Sequence, residues 1–261
     1  MERRMMKNKK AWIGIVYAVA VAAVFTAISL LVMKWLSGTP WYLFSSLLRL
    51  SFGVLALMLM CKTYERRGTE ILAPRQNKAA LRAGAGFGIF FLYYLILYAV
   101  GFGRIAGLSF GIVVSRILLQ QLTTGFYEEV VFRGLVLEGY FHQVRKTWQV
   151  RLLYAAVSFL LFGAIHVVTG WDLWRFLSTG MIGFAFAAIY LQSRNLILPM
   201  ILHFVYDIFA NLAGYVQWKD TALFMNLNGC FEIMQIVMLA VSIMMLVAGA
   251  GKKENVNGGI V

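Results

Sequence analysis

The chain has 261 residues, of which 61% are hydrophobic and 13% charged, and its 24 Lys and Arg exceed its 11 Asp and Glu by thirteen. A water-soluble domain of this length carries a larger polar share, so the soluble enzyme and soluble binding-module classes are excluded. Most of the basic excess lies in short loops between apolar runs, where it sets topology, and this argues against a nucleic-acid surface.

Hydropathy places the first span at 11–33, directly after a basic stretch. Its apolar run is longer than the roughly 7–15 residues of a signal-peptide core, so it reads as a retained anchor. Spans at 41–61, 83–102, 108–140, 152–168, 176–192, 196–216 and 230–248 follow, which makes eight. Backbone amides in lipid must be satisfied within their own segment, and no alternating strands of barrel type are present, so the fold class is all-α and polytopic. The chain reads as a single membrane domain over 1–261 with one long cytoplasmic loop at 62–82.

Basic residues cluster in alternate loops: Arg3, Arg4, Lys7, Lys9 and Lys10; six in 62–82; Arg145, Lys146 and Arg151; Arg194; and Lys252 and Lys253. The intervening loops hold only Lys34, Arg104, Arg175 and Lys219. The positive-inside rule then puts both termini in the cytoplasm. Cys61 and Cys230 fall at opposite membrane borders, so no disulfide joins them. Gly84/Gly88 and Gly103/Gly107 have the small-xxx-small spacing of close helix contacts.

Ionisable groups inside spans are costly and therefore informative. Away from segment ends they are Arg49, Arg116, Glu128, Glu129, Arg133, Glu138, His166, His203 and Asp207. Glu129 and Arg133 are four residues apart, share a helical face and can neutralise each other. Glu128 is turned about 100° from Glu129, which leaves it free for proton transfer. Repulsion between the adjacent carboxylates suits one of them to act as a general base, although the run also reads as an ion-paired helix contact without chemistry.

Phe162 and His166 share a face of one helix, and His203 and Asp207 share a face of another. A rise of about 1.5 Å per residue from the cytoplasmic ends gives depths of roughly 20 Å for Glu128, 22 Å for His166, 11 Å for His203 and 17 Å for Asp207. These groups can converge near mid-membrane. Span 108–140 would be about 50 Å long as a straight helix, so it must tilt, protrude or break, and Thr123-Thr124-Gly125 is the expected break.

Glu128-Glu129-x-x-x-Arg133, Phe162-x-x-x-His166 and His203-x-x-x-Asp207, in this order on separate spans, resemble the CAAX protease and bacteriocin-processing family of intramembrane endopeptidases. The resemblance covers a catalytic core at about 108–210. It implies that Glu128 and His166 activate a water for attack on a peptide carbonyl, and that His203 and Asp207 help stabilise the oxyanion. Glu129, Arg133 and Phe162 would be supporting groups. Asp207 stands where some members have Asn and others, like this chain, Asp; an ionised Asp cannot donate a hydrogen bond, so it would orient His203, itself the donor. The preferred mechanism needs no cofactor; the alternative that the resemblance leaves open is a divalent metal such as zinc held by Glu128, His166 and His203.

Other protease chemistries are less well supported. There is no HExxH, and Asp207 is the only Asp inside a span, with Asp172 and Asp220 in loops. Gly107-Leu-Ser109-Phe-Gly111 spells GxSxG but lacks the strand-to-helix turn that gives it meaning. The leading expectation is an endopeptidase acting on a membrane-associated, lipid-modified or leader peptide among membrane lipids. The second is a non-catalytic scaffold or bacteriocin self-immunity protein engaging a toxin or sensor, and the third a proton-coupled carrier.

Overall fold

The computed structural model describes residues 2–144, 146–219 and 222–248. Of the loop residues named from the sequence, Arg145, Asp220, Lys252 and Lys253 lie outside these. The described chain is an all-α bundle, as its composition requires, with helices α1 (Glu2–Val32), α2 (Gly38–Tyr64), α3 (Gly68–Ile71), α4 (Asn77–Ala83) and α5 (Ala85–Gly101) in its first part. Strand β1 (Phe102–Ile105) then leads into a composite helix at 110–141. After it come α9 (Trp148–His166), α10 (Leu173–Ser193), α11 (Ile197–Leu212), β2 (Val216–Trp218), α12 (Ala222–Gly229) and α13 (Phe231–Ala248). The antiparallel pair β1–β2, which hydropathy gives no sign of, closes one end of the bundle.

Local sequence explains the helix ends. Thr147 and Asp172 cap α9 and α10 by accepting from the backbone N–H of Val150 and Arg175. Pro40 and Pro199 fall in first turns, where a missing N–H costs little. Ser109, the centre of the GxSxG string, is itself an exposed cap accepting from Ile112 N–H.

Six helices are individually long and apolar enough to cross a membrane, and α4 with α5, bent by 61°, makes a seventh. The remaining expected span, 108–140, is the composite helix, which is not among the described helices long and apolar enough to cross by themselves, so six spans, or seven with the bent pair, stand where eight are expected. The α-helical parts of the composite helix are α6 (Phe110–Ile112), α7 (Gln121–Glu129) and α8 (Val136–Phe141), and the stretches Val113–Gln120 and Val130–Leu135 between them are π-helical. The expected break at Thr123–Gly125 is absent. Thr124 Oγ1 and Thr123 Oγ1 both donate to the Gln120 carbonyl, and Thr123 also to that of Leu119, so these hydroxyls satisfy the backbone where the first π stretch ends. Wider turns on either side of α7 replace a kink.

The small-xxx-small expectation is corrected in detail. Gly84 meets Ile189 of α10, but Gly88 faces open space, and it is Gly86 that lies against Met238 and Ser242 of α13. Gly103 lies in the strand pair and Gly107 is a turn residue with φ of +72°, so neither makes a helix contact.

Helix α10 is buried on all sides from Gly180 to Leu191 and separates two apolar clusters. Loops assigned to one side by their basic residues do meet at one end of the bundle. There Glu138, fully buried, accepts from Arg66 at 3.1 Å, from Arg194 and, at 2.7 Å, from the Tyr190 hydroxyl. His142 lies 3.9 Å away, and burial pushes its imidazole below the usual histidine range. The guanidiniums therefore carry the compensation for Glu138.

Candidate active site

The charged groups of the two motif helices meet where α7 and α11 touch. At Gly125 an added Cβ would lie 3.1 Å from the Met200 carbonyl oxygen and 3.4 Å from Phe204 N. A hydrogen at this position lets the α11 backbone come close enough for His203, one turn from Pro199, to reach the α7 carboxylates. Gly125→Leu should therefore wedge α11 away from α7, cutting any Glu128-dependent activity by about 100-fold or more with the chain still assembled. That activity and detergent-resistant folding, measured together, check this.

His203 is buried between the two adjacent carboxylates. Its Nδ1 donates to Glu129 Oε1 at 2.8 Å, and its Nε2 lies 3.6 Å from Glu128 Oε2 and 3.4 Å from Asp207 Oδ2. The 100° offset between Glu128 and Glu129 does not give them separate neighbours; the imidazole occupies the angle between them. Glu129 also pairs with Arg133 Nη1 at 3.0 Å, both side chains being completely shielded, which is the expected i,i+4 contact.

Phe162 organises the other side. Its ring lies 4.2 Å from the Arg133 guanidinium carbon, 4.6 Å from the His166 ring and 5.8 Å from the His203 ring. Phe186 of α10 covers Arg133 and His203 from a second direction. Gly183 permits this packing, because a Cβ there would lie 2.9 Å from Phe162 Cβ, and its carbonyl faces Arg133 Nη2 at 3.5 Å. Neither Gly183 nor Phe186 stands out in the sequence, since a small residue and an aromatic are ordinary in an apolar span.

His166 packs on the same Phe162 ring as His203. Its Nδ1 is 2.7 Å from the Phe162 carbonyl oxygen, which can only accept, so Nδ1 carries the proton and Nε2 of the neutral ring holds the lone pair. Among the described residues Nε2 has no hydrogen-bond partner. Glu128, 13% exposed, likewise has a buried, unpartnered Oε2. The structure thus brings Glu128, Glu129, Arg133, His203 and Asp207 into contact and sets His166 beside them through Phe162.

The zinc alternative requires Glu128, His166 and His203 to converge. Among the described residues no three His, Cys, Asp or Glu side chains are grouped to hold a metal ion, so the residues present do not fit that ligand set.

Arg49 of α2, outside the three motifs, approaches the same end of α7: its guanidinium carbon lies 5.5 Å from the Phe25 ring, which packs on Tyr127, the neighbour of Glu128. Its signal in the sequence is a cation inside a span with no acidic residue within one turn of its own helix.

Comparison with known proteins matches residues 110–209 to the family model described as Rce1-like: Type II CAAX prenyl endopeptidase Rce1-like. The match spans the three motifs and leaves out α1 to α5, α12 and α13. No curated protein and no solved structure matches the chain.

Proposed function

With an Rce1-like, CAAX-type intramembrane endopeptidase domain at residues 110–209 as the premise, we propose that this chain hydrolyses a peptide bond of a lipid-modified or leader peptide with a water activated by Glu128 and His166. The observation that carries this reading is the buried, unpartnered Glu128 Oε2 against the His203 imidazole that Glu129 fixes, with the His166 ring turned by its Nδ1 bond so that Nε2 is its free acceptor. Glu128 takes one water proton as the oxygen attacks, and the His166 lone pair accepts the other hydrogen bond and orients the nucleophile. His203, held by Glu129, presents Nε2 to the developing oxyanion. Doubly protonated, it brings the sum over Glu128, Glu129, Asp207, Arg133, Arg49 and His203 to zero, which a low-dielectric site favours.

An apolar groove of about 390 Å³ between α1 and α9 supports a lipidated substrate. Ala22, Leu30, Leu161 and Val168 line it, and Phe132 forms its inner wall and packs edge-on against Phe162 at 5.6 Å. A bound acyl or prenyl chain would lie within one aromatic ring of the site. Both termini face the cytoplasm of a bacterial cell in this reading, following the loop charges.

The test is a comparison of peptides released from membranes of cells expressing the wild-type chain or Glu128→Ala at equal levels. Peptides released only by the wild type support the reading and identify the substrate. Identical peptide sets, with full biological function retained by Glu128→Ala, leave the scaffold or immunity role instead. Strong chelators should leave the Glu128-dependent release unchanged; loss restored by added zinc would overturn the cofactor-free mechanism.

A further inference from the structure

Helix α2 runs alongside the composite helix in parallel. Ser45 accepts from Gln120 Nε2 at 2.8 Å, Gly53 abuts Phe126 and the Tyr127 backbone, and the Tyr64 hydroxyl donates to the Leu135 carbonyl at 3.0 Å. Arg49 is four residues from both Ser45 and Gly53, on the face that meets 120–127. Its guanidinium carbon is 5.5 Å from the Phe25 ring, which in turn packs on Tyr127 at 4.5 Å. The side chain is therefore held at the level of α7, where Glu128 and Asp207 are the carboxylates that interact electrostatically with it.

Arg49 Nε and Nη1 are buried and have no hydrogen-bond partner, and neither has Glu128 Oε2, one residue along from the Tyr127 on which Phe25 packs. Buried donors and acceptors are rarely left unmade, and complementary ones facing the same site mark the place of something polar that binds between them. In a peptidase that polar group is the scissile amide. Asp207 adds a second reason: as a carboxylate it offers no N–H where an Asn would.

We propose that Arg49 is a catalytic residue whose Nε and Nη1 hydrogens bind the oxyanion, supplying the donor that Asp207 lacks. The inference rests on the peptidase reading. As the water oxygen bonds to the carbonyl carbon, one water proton passes to Glu128 and the carbonyl π pair moves onto oxygen, between the guanidinium and His203 Nε2. Collapse re-forms the carbonyl and breaks the C–N bond, and the proton on Glu128 goes to the leaving amine. A planar fork of N–H donors on a group that is always charged suits this task better than an ammonium.

The experiment uses full-length protein in lipid nanodiscs and, as probe, the synthetic precursor of a peptide whose release depends on Glu128. Arg49→Gln should lower kcat by about 100-fold with KM within about twofold, and Arg49→Lys by about tenfold. In the Arg49→Gln background, Asp207→Asn should recover about tenfold in kcat by restoring a donor, whereas Asp207→Leu should not. Equal recovery by Asn and Leu would show that Arg49 only balances the Asp207 charge and would overturn the proposal, as would an unchanged kcat in Arg49→Gln. If Arg49→Gln fails to assemble, Arg49→Lys decides: an unchanged kcat refutes the role. Full activity of Glu128→Gln would instead refute the peptidase reading, and so would the absence of any Glu128-dependent peptide; either result removes this inference with it.

Discussion

Glu128→Gln is expected to lower turnover by about 10²–10⁴-fold, the usual contribution of a positioned general base, in a protein that still folds. The two effects separate because Glu128 is not the counterion that holds Arg133; Glu129 is. Gln keeps the shape of the side chain and can still hydrogen-bond a water, but it cannot take the water proton. Peptide release measured per folded molecule, with folding followed by thermal unfolding in detergent, checks the prediction. A Gln variant that cleaves at the wild-type rate would remove Glu128 from the chemistry.

Arg133→Ala should behave in the opposite way, losing the fold before the chemistry can be read. The Arg133–Glu129 pair is completely shielded, and the guanidinium also lies against Phe162 at 4.2 Å and Phe186 at 5.3 Å. Removing one member leaves a bare buried charge, at a cost of about 3–5 kcal/mol. Glu129→Ala carries the same cost and also frees Nδ1 of His203. The double replacement Glu129→Gln with Arg133→Met should recover most of the assembled protein, because no charge is then stranded, while cleavage stays impaired. Expression and unfolding temperature of the wild type and these three variants check the prediction. If Arg133→Ala assembled normally, the pair would not be structural.

The polytopic all-α class and the i,i+4 contacts were legible because each depends on one helix: hydropathy, Glu129 with Arg133, and His203 with Asp207. Contacts between helices were not. His203 lies against both Glu128 and Glu129 because Gly125 admits α11, and a lone glycine in an apolar span reads equally well as a break or a contact. The π stretches at 113–120 and 130–135 were hidden for a similar reason: their sequence satisfies ordinary helical periodicity, and only the hydrogen bonds distinguish them. Gly86, rather than Gly88, meets α13 because α5 begins anew after the bend at Gly84, which resets the phase on which the spacing argument relied. Arg49 was visible as an unaccompanied intramembrane cation, but its place beside Phe25 of α1, which packs on Tyr127 of α7, depends on contacts between helices.

Glu138 acts as a keystone for the rim on which it sits. Two other segments terminate on its two oxygens, the end of α2 through Arg66 and the end of α10 through Tyr190 and Arg194, so neither can swing outward alone without baring charge to an apolar surround. Loosening that rim takes concerted rupture. The opposite rim is tied by the short β1–β2 ribbon, whose residues are largely exposed and whose backbone links can re-form with water. Breathing of the bundle is therefore lopsided, cheap at the ribbon and dear at the keystone.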